Sequence, residues 1–154
     1  MISAIISIIL VHKIYKVMKK ILVILVILFA SVGSHCYAQS VRDRNNSLIG
    51  RIESDGTVRN RNNSKIGKFE NDGAIRNGNN SKVGQIDSDG SIRDRYNSKI
   101  GKVESDGTVR NSSNSRIGKV ESDGTIRDKN NSKIGSVEHV PQRRAAVFFF
   151  FEMF

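Results

Sequence analysis

Apolar residues are sparse and evenly spaced over residues 41–138, where a 17-residue phrase recurs in six near-copies. In residues 47–63 the apolar positions are Leu48, Ile49, Ile52 and Val58, and their spacing has no helical period. β-Branched residues bounded by Gly, Asp, Asn and Ser predict two short strands in each unit. Because a unit this short cannot bury its own apolar face, it must stack on its neighbours.

The turn between the two strands is marked by Asp-Gly. A two-residue loop would set Ile52 opposite Arg59, whereas a three-residue loop with a left-handed glycine sets Ile52 opposite Val58. We predict the three-residue loop, because it places the apolar pair of each unit on one face. The Asp-Gly pairs are Asp55-Gly56, Asp72-Gly73, Asp89-Gly90, Asp106-Gly107 and Asp123-Gly124.

A second glycine interrupts the first strand of each unit. Ile49 and Ile52 are three residues apart, so strict alternation would point them to opposite faces, yet both positions are apolar in every unit. A glycine inside a strand often marks a bulge. We therefore predict a kink that turns both residues inward. The glycines are Gly50, Gly67, Gly84, Gly101, Gly118 and Gly135.

The two ends of the repeat complement each other. Residues 41–44 match the second strand of a unit, and residues 134–138 match a first strand. If they pair, the chain is an all-β, closed ring of short antiparallel β-hairpins without a free edge. A parallel β-solenoid with one rung per unit is the alternative, and the tight Asp-Gly reversal favours the ring.

The recurrent pattern I-G-x-[IV]-x-x-D-G-x-[IV]-R, with N-N-S between copies, resembles the five-fold β-flower family over residues 41–138. The resemblance implies a small exported ring of β-hairpin petals of uncharacterised function, and it brings no catalytic or binding residues with it. It implies five petals, whereas five Asp-Gly hairpins and one pair made by the termini would total six.

The segment before the repeat is predicted to direct export. Residues 18–38 have a basic start, an apolar stretch and a small-residue site, which together predict a signal peptide ending near Ala38. Residues 1–17 are interpreted as an upstream extension. An uncleaved anchor is the alternative. The mature protein is then periplasmic, bound to the cell envelope or secreted, with a repeat domain at residues 39–140.

Residues 141–154 form a Phe-rich C-terminal segment. Five of the seven phenylalanines lie in it, and so much apolar surface is not left in water without cause. We predict a closing strand or plug that packs against the inward Ile and Val residues. Contact with a membrane or a partner is the alternative.

The candidate chemistry is limited. Residues 39–154 contain one histidine, His139, and no cysteine, which argues against a nucleophilic enzyme. The acids of Asp87-Ser88-Asp89-Gly90 resemble half a calcium loop, but the further oxygen ligands are missing and a turn explains them. No catalytic residue, metal or cofactor is therefore predicted, and we expect a protein that is not an enzyme.

The charges give one lead. The chain has 25 Lys and Arg against 15 Asp and Glu, a net charge of +10. One arginine recurs in each unit, which predicts either pairing with an acid of the neighbouring unit or an anion-binding rim. The repeat has few aromatic residues on which bases could stack, which argues against nucleic acid as a partner. The six arginines are Arg42, Arg59, Arg76, Arg93, Arg110 and Arg127.

Two functions remain open at this point. The first is a non-catalytic exported binding or interaction module whose partner is an anionic ligand, a glycan or an envelope protein. The second is a structural or assembly protein of the cell envelope, which engages a partner or the membrane through the Phe-rich tail.

Overall fold

The computed structural model describes residues 14–20 and 39–154. Residues 14–20 are helical, and most of the predicted extension (1–17) and signal peptide (18–38) lies outside the described residues. Residues 39–154 form strands β1–β12 and a C-terminal helix, Gln142–Phe150. The odd-numbered strands have four residues: β1 Ser40–Asp43, β3 Thr57–Asn60, β5 Ala74–Asn77, β7 Ser91–Asp94, β9 Thr108–Asn111 and β11 Thr125–Asp128. The even-numbered strands have five: β2 Leu48–Ile52, β4 Lys65–Phe69, β6 Lys82–Ile86, β8 Lys99–Val103, β10 Arg116–Val120 and β12 Lys133–Val137.

The strands form one closed antiparallel sheet in which each strand pairs with its neighbours in the chain and β1 pairs with β12. The predicted ring of hairpins is confirmed, and the parallel solenoid is wrong. We call each strand pair joined by an Asp-Gly turn a petal, and the pair β12–β1 is the sixth petal. A closed sheet leaves no unpaired edge, which protects strands this short from pairing with other chains.

Each hairpin has the predicted three-residue turn. Ile52 lies opposite Val58, the N–H of Glu53 donates to the carbonyl of Thr57 over 2.8 Å, and Gly56 has a φ of 88°. Glycine is favoured there because a side chain at positive φ is strained. The apolar pairs of the other units are also in register: Phe69 with Ile75, Ile86 with Ile92, Val103 with Val109 and Val120 with Ile126.

The predicted kink is a β-bulge between neighbouring petals. Val41 pairs with Gly50 and Arg42 pairs with Leu48, which leaves Ile49 as an extra residue. Ile49 therefore packs against the core together with the fully buried Ile52. The equivalent register shift recurs at every junction between petals. The kink prediction is confirmed.

The termini of the repeat reproduce a hairpin without a connecting turn. Val41 lies opposite Val137, as Val58 lies opposite Ile52, and the N–H of Glu138 donates to the carbonyl of Ser40 over 3.1 Å. The Ser40 hydroxyl also donates to Glu138 Oε2 over 3.1 Å. The ring is therefore closed by the same backbone pattern that builds its other petals.

The C-terminal segment is a helix, so of the two predicted forms, a closing strand or a plug, the strand is wrong. Pro141 precedes the helix, where its missing N–H is no loss, and Gln, Arg and Ala in the first turns favour helix formation. Ala145, Ala146 and Val147 are fully buried although they are consecutive, and the following phenylalanines pack against the core. The second half of the helix is apolar on all sides, and its side chains pack against the ring.

In each petal, one glycine packs against one side chain of the C-terminal segment. A methyl group at Gly101, for example, would lie 2.5 Å from Phe151 Cε1 and would also collide with the Arg110 carbonyl oxygen. The absence of a side chain at these glycines therefore makes room for the large tail residues. The pairs are Phe148 with Gly50, Phe149 with Gly135, Phe150 with Gly118, Phe151 with Gly101, Met153 with Gly84 and Phe154 with Gly67.

These pairs follow the order of the petals, so successive tail side chains contact successive petals once around the ring. Within residues 148–154, Glu152 is the one residue that is not paired with a petal glycine. Its side chain is exposed, and its φ is 45°. Edge-on ring contacts add to the packing, as between Phe69 and Phe154, whose centroids are 5.3 Å apart. We call residues 148–154 the tail.

The substitution Gly101→Ala is expected to lower the free energy of unfolding by about 1–3 kcal/mol, because the new methyl group overlaps both Phe151 and a strand carbonyl. Denaturant unfolding measures the loss. Gly78→Ser is the control, because another unit carries a serine, Ser112, at the position equivalent to Gly78. This substitution should change the free energy of unfolding by less than about 0.5 kcal/mol. Equal stability of the two variants would contradict the close approach.

Phe150→Ala should destabilise the protein by about 2–3 kcal/mol, somewhat below the usual loss for a fully buried phenylalanine, because Phe150 is half-buried. Glu152→Ala is the matched control within the tail and should leave the denaturation midpoint nearly unchanged. If both variants unfold at the wild-type denaturant concentration, the tail does not support the ring.

Candidate functional site

The six recurrent arginines lie on the outer face of the ring and brace its turns. Arg59 Nε is 2.7 Å from Glu53 Oε1, and Arg59 Nη1 donates to the carbonyl of Asn63 over 3.1 Å. Asn63 has a φ of 65°, so the arginine also holds a left-handed turn. The same contact with the turn asparagine is made by Arg42, Arg76, Arg93, Arg110 and Arg127.

Five of the six arginines pair with an acid, and in each case the acid belongs to the same hairpin, so the prediction of pairing with a neighbouring unit is wrong. Glu53 lies at the end of β2 and Arg59 within β3, diagonally across the three-residue turn, where side chains on one face can meet. Nitrogen–oxygen distances in the other pairs are 2.7 Å for Arg93–Asp87, 2.9 Å for Arg110–Glu104, and 3.6 Å for both Arg76–Glu70 and Arg127–Glu121.

The strand register adds further cations to the arginines. Arg59 lies opposite Arg51 on one side and opposite Lys65 on the other, so three cations stand side by side on the outer face. Cations also lie opposite one another on most of the other strands, and the row is interrupted at Gln85, Ser136 and Leu48. We call this set the belt: Arg42, Arg51, Arg59, Lys65, Lys68, Arg76, Lys82, Arg93, Lys99, Lys102, Arg110, Arg116, Lys119, Arg127 and Lys133.

Part of the belt is neutralised and part is not. The arginines paired with acids are only about a third exposed, 31 % for Arg59 and 34 % for Arg93. Lys65, Lys82 and Lys99 are exposed, and in the described part of the chain they have no ion pair. These lysines were not predictable as part of the site from the sequence, because only the bulge register places them on the same face as the arginines.

The turn aspartates serve the backbone. Asp55 Oδ1 accepts the N–H of Thr57 over 2.8 Å, and Oδ2 accepts its hydroxyl over 2.9 Å. These hydrogen bonds, first from the backbone N–H and then from the hydroxyl, hold the pKa of Asp55 below the ordinary value of 3.8. The same causes lower the pKa of Asp89, Asp106 and Asp123.

Within residues 14–20 and 39–154, no group of three His, Cys, Asp or Glu side chains is placed to hold a metal ion. The helices in these two ranges are too short or too polar to cross a membrane.

A family profile described as 5-fold beta-flower protein matches residues 38–153. The chain belongs to the five-fold β-flower family. The resemblance found in the sequence is thereby confirmed. This β-flower has six petals, one more than the family description states, because the paired termini form a petal of their own. Comparison with curated proteins and with solved structures gives no match to the chain.

The lowered aspartate pKa values predict a loss of stability in acid. The ionised carboxylates favour the folded state, so their contribution is complete above about pH 3.8 and is lost as pH falls through the lower folded-state pKa. Circular dichroism measures the midpoint temperature of thermal unfolding between pH 6 and pH 2. This temperature should decrease once the pH is lowered beneath about 3.8.

A variant isolates this effect from that of the other acids. Replacing Asp55, Asp89, Asp106 and Asp123 by Asn keeps an acceptor for the backbone N–H but removes the titrating group and the acceptor for the hydroxyl. The variant should be less stable at pH 6 and should depend less on pH below 3.8. A pH profile as steep as that of the wild type would contradict the assignment.

Proposed function

We propose that the protein is an exported, non-catalytic binding module whose belt holds an anionic polymer against the outer wall of the ring. The observation that supports this is the register of the outer face, which places fifteen cations on one face, in a row interrupted only at Gln85 and beside Arg42. Among the described residues, six acids form ion pairs with these cations: Glu53, Glu70, Asp87, Asp89, Glu104 and Glu121.

The partner class follows from the shape of the belt. The charges are spread around a ring rather than gathered in one pocket, which suits a long chain with repeated negative groups. Each exposed cation contributes little alone, and many weak contacts to one chain add up to a useful affinity. An acidic polysaccharide fits this requirement and would meet an exported protein outside the cytoplasm.

The tail favours this function over the assembly role. An assembly protein that engages a membrane or partner through the tail needs the phenylalanines to be available. Phe148, Phe149, Phe150 and Phe151 pack against the ring core, and Phe148 and Phe149 also make an edge-on contact with centroids 5.6 Å apart. This packing supports an internal role for the tail, and it leaves the outer wall as the binding surface.

The belt is tested best through its lysines, because the arginines also brace the turns. In Lys65→Gln/Lys82→Gln/Lys99→Gln, three exposed charges are removed and no arginine contact is lost. Binding to heparin and to polygalacturonate is measured by calorimetry at several salt concentrations. The affinity should fall about tenfold or more, and the dependence of log K on log salt should weaken by about 3.

The matched control removes the same charge from outside the belt. Arg44, Arg61 and Lys129 are exposed in the turns between petals, at a position where other units carry Gly78 or Ser112. Replacing these three by Gln should change binding much less than the belt variant does. The proposed function fails if the wild type binds neither polymer at 50 mM salt, or if both triple variants lose affinity equally.

A further inference from the structure

One of the turns between petals departs from the repeat with an exposed aromatic side chain. Tyr96 is 73 % exposed, and it is the one exposed large apolar side chain of residues 39–154. In five units the equivalent residue is small and polar: Asn45, Asn62, Asn79, Ser113 and Asn130. These units form the same turn without an aromatic residue, so folding does not explain Tyr96.

Tyr96 borders a groove of about 330 Å³ between the tail and the turn that joins β7 to β8. This volume lies within the range of small-ligand sites. The apolar part of the groove is formed by Val83, Ile100, Phe151 and Met153. The groove lies beside the tail residues that follow the end of the helix. It is therefore lined both by residues of the repeat and by residues of the tail, which is not repeated.

Polar groups border the same groove. The Arg95 guanidinium carbon lies 4.7 Å from the centroid of the Tyr96 ring, and the carboxyl groups of Asp94 and Glu152 are also at the border. Asp94 uses Oδ1 to accept the N–H groups of Tyr96 and Ser98, and among the described residues Oδ2 has no hydrogen-bond partner. The groove therefore presents hydrogen-bond donors and acceptors beside an aromatic surface.

The turn that carries Tyr96 is held in place before any ligand arrives. Asp94 Oδ1 accepts two backbone N–H groups of the turn, over 2.8 and 2.9 Å. Arg93 donates to the carbonyl of Asn97 over 3.0 Å and pairs with Asp87 over 2.7 Å. A fixed turn reduces the entropy lost on binding, which favours a recognition site at this position.

We propose that this groove binds one saccharide unit of a glycan, with Tyr96 as the stacking platform. A pyranose has a face of C–H groups, which packs on an aromatic ring, and an edge of hydroxyl groups, each of which donates and accepts hydrogen bonds. Arg95 supplies donors for these hydroxyls, and Asp94 and Glu152 supply charged acceptors, which make the stronger hydrogen bonds.

Other ligand classes fit the groove less well. Single-stranded nucleic acid is bound by several aromatic residues on which successive bases stack, and Tyr96 stands alone on this surface. A purely apolar ligand would leave Arg95, Asp94 and Glu152 desolvated without partners. The proposal does not depend on the belt, because a neutral sugar satisfies every group of the groove.

The test uses neutral sugars, so that attraction to the belt does not contribute. Cellohexaose, chitohexaose and maltohexaose are titrated into the full-length protein at 150 mM salt, and binding is followed by calorimetry and by chemical shifts of the turn amides. At least one of them should bind and shift the amides of residues 94–98. The proposal is overturned if none of the three binds, or if binding leaves these amides unchanged.

Tyr96→Asn restores the residue of four equivalent units, so the ring should keep its thermal midpoint while sugar affinity falls at least about tenfold. The control, Asn62→Tyr/Tyr96→Asn, moves the tyrosine to another petal, away from Glu152 and Met153, and should not regain binding. Wild-type affinity in either variant would overturn the site. The triple lysine variant of the belt should bind the sugar normally, so failure of the belt and failure of the groove are distinguishable.

Discussion

The packing of the tail on six glycines is the contact on which the rest of the structure depends. Petals this short bury only one apolar pair each, and a ring of them encloses space that their own side chains do not fill. The tail fills that space with one large side chain for each petal, and glycine lets it approach the strand backbone. The core is thus built jointly by a repeated part and a part that occurs once.

Features determined within one unit, or by the repeat itself, were predictable from the sequence. The Asp-Gly turn, the pairing of Ile52 with Val58 and the bulge at Ile49 follow from local backbone preferences and from the need to bury apolar residues. Closure by the termini was also predictable, because residues 41–44 and 134–138 are complementary fragments of one unit. The repeat makes each local inference stronger, since it must hold for several copies.

Features that depend on contacts between distant parts of the chain were not predictable. Phe148, Phe149 and Phe150 show no helical period, because these consecutive residues contact three different petals of the ring. Arginine and acid each recur once per unit, so the 17-residue period fits pairing within a hairpin and pairing between hairpins equally well. Only the diagonal across the turn, which places Glu53 2.7 Å from Arg59, decides between them.

The tail is not repeated, so it cannot contact the six similar petals in the same way. This asymmetry limits where on the ring a specific ligand can bind. The belt repeats in every petal, so it can only add many similar weak contacts along a polymer. Selectivity for one chemical group requires a place where the petals differ. Phe69 is such a departure, but its edge contact with Phe154 at 5.3 Å explains it by packing. Among the described residues, Tyr96 packs only against the exposed Arg95 guanidinium, 4.7 Å from its ring centroid, and it lies beside the tail, which is not repeated.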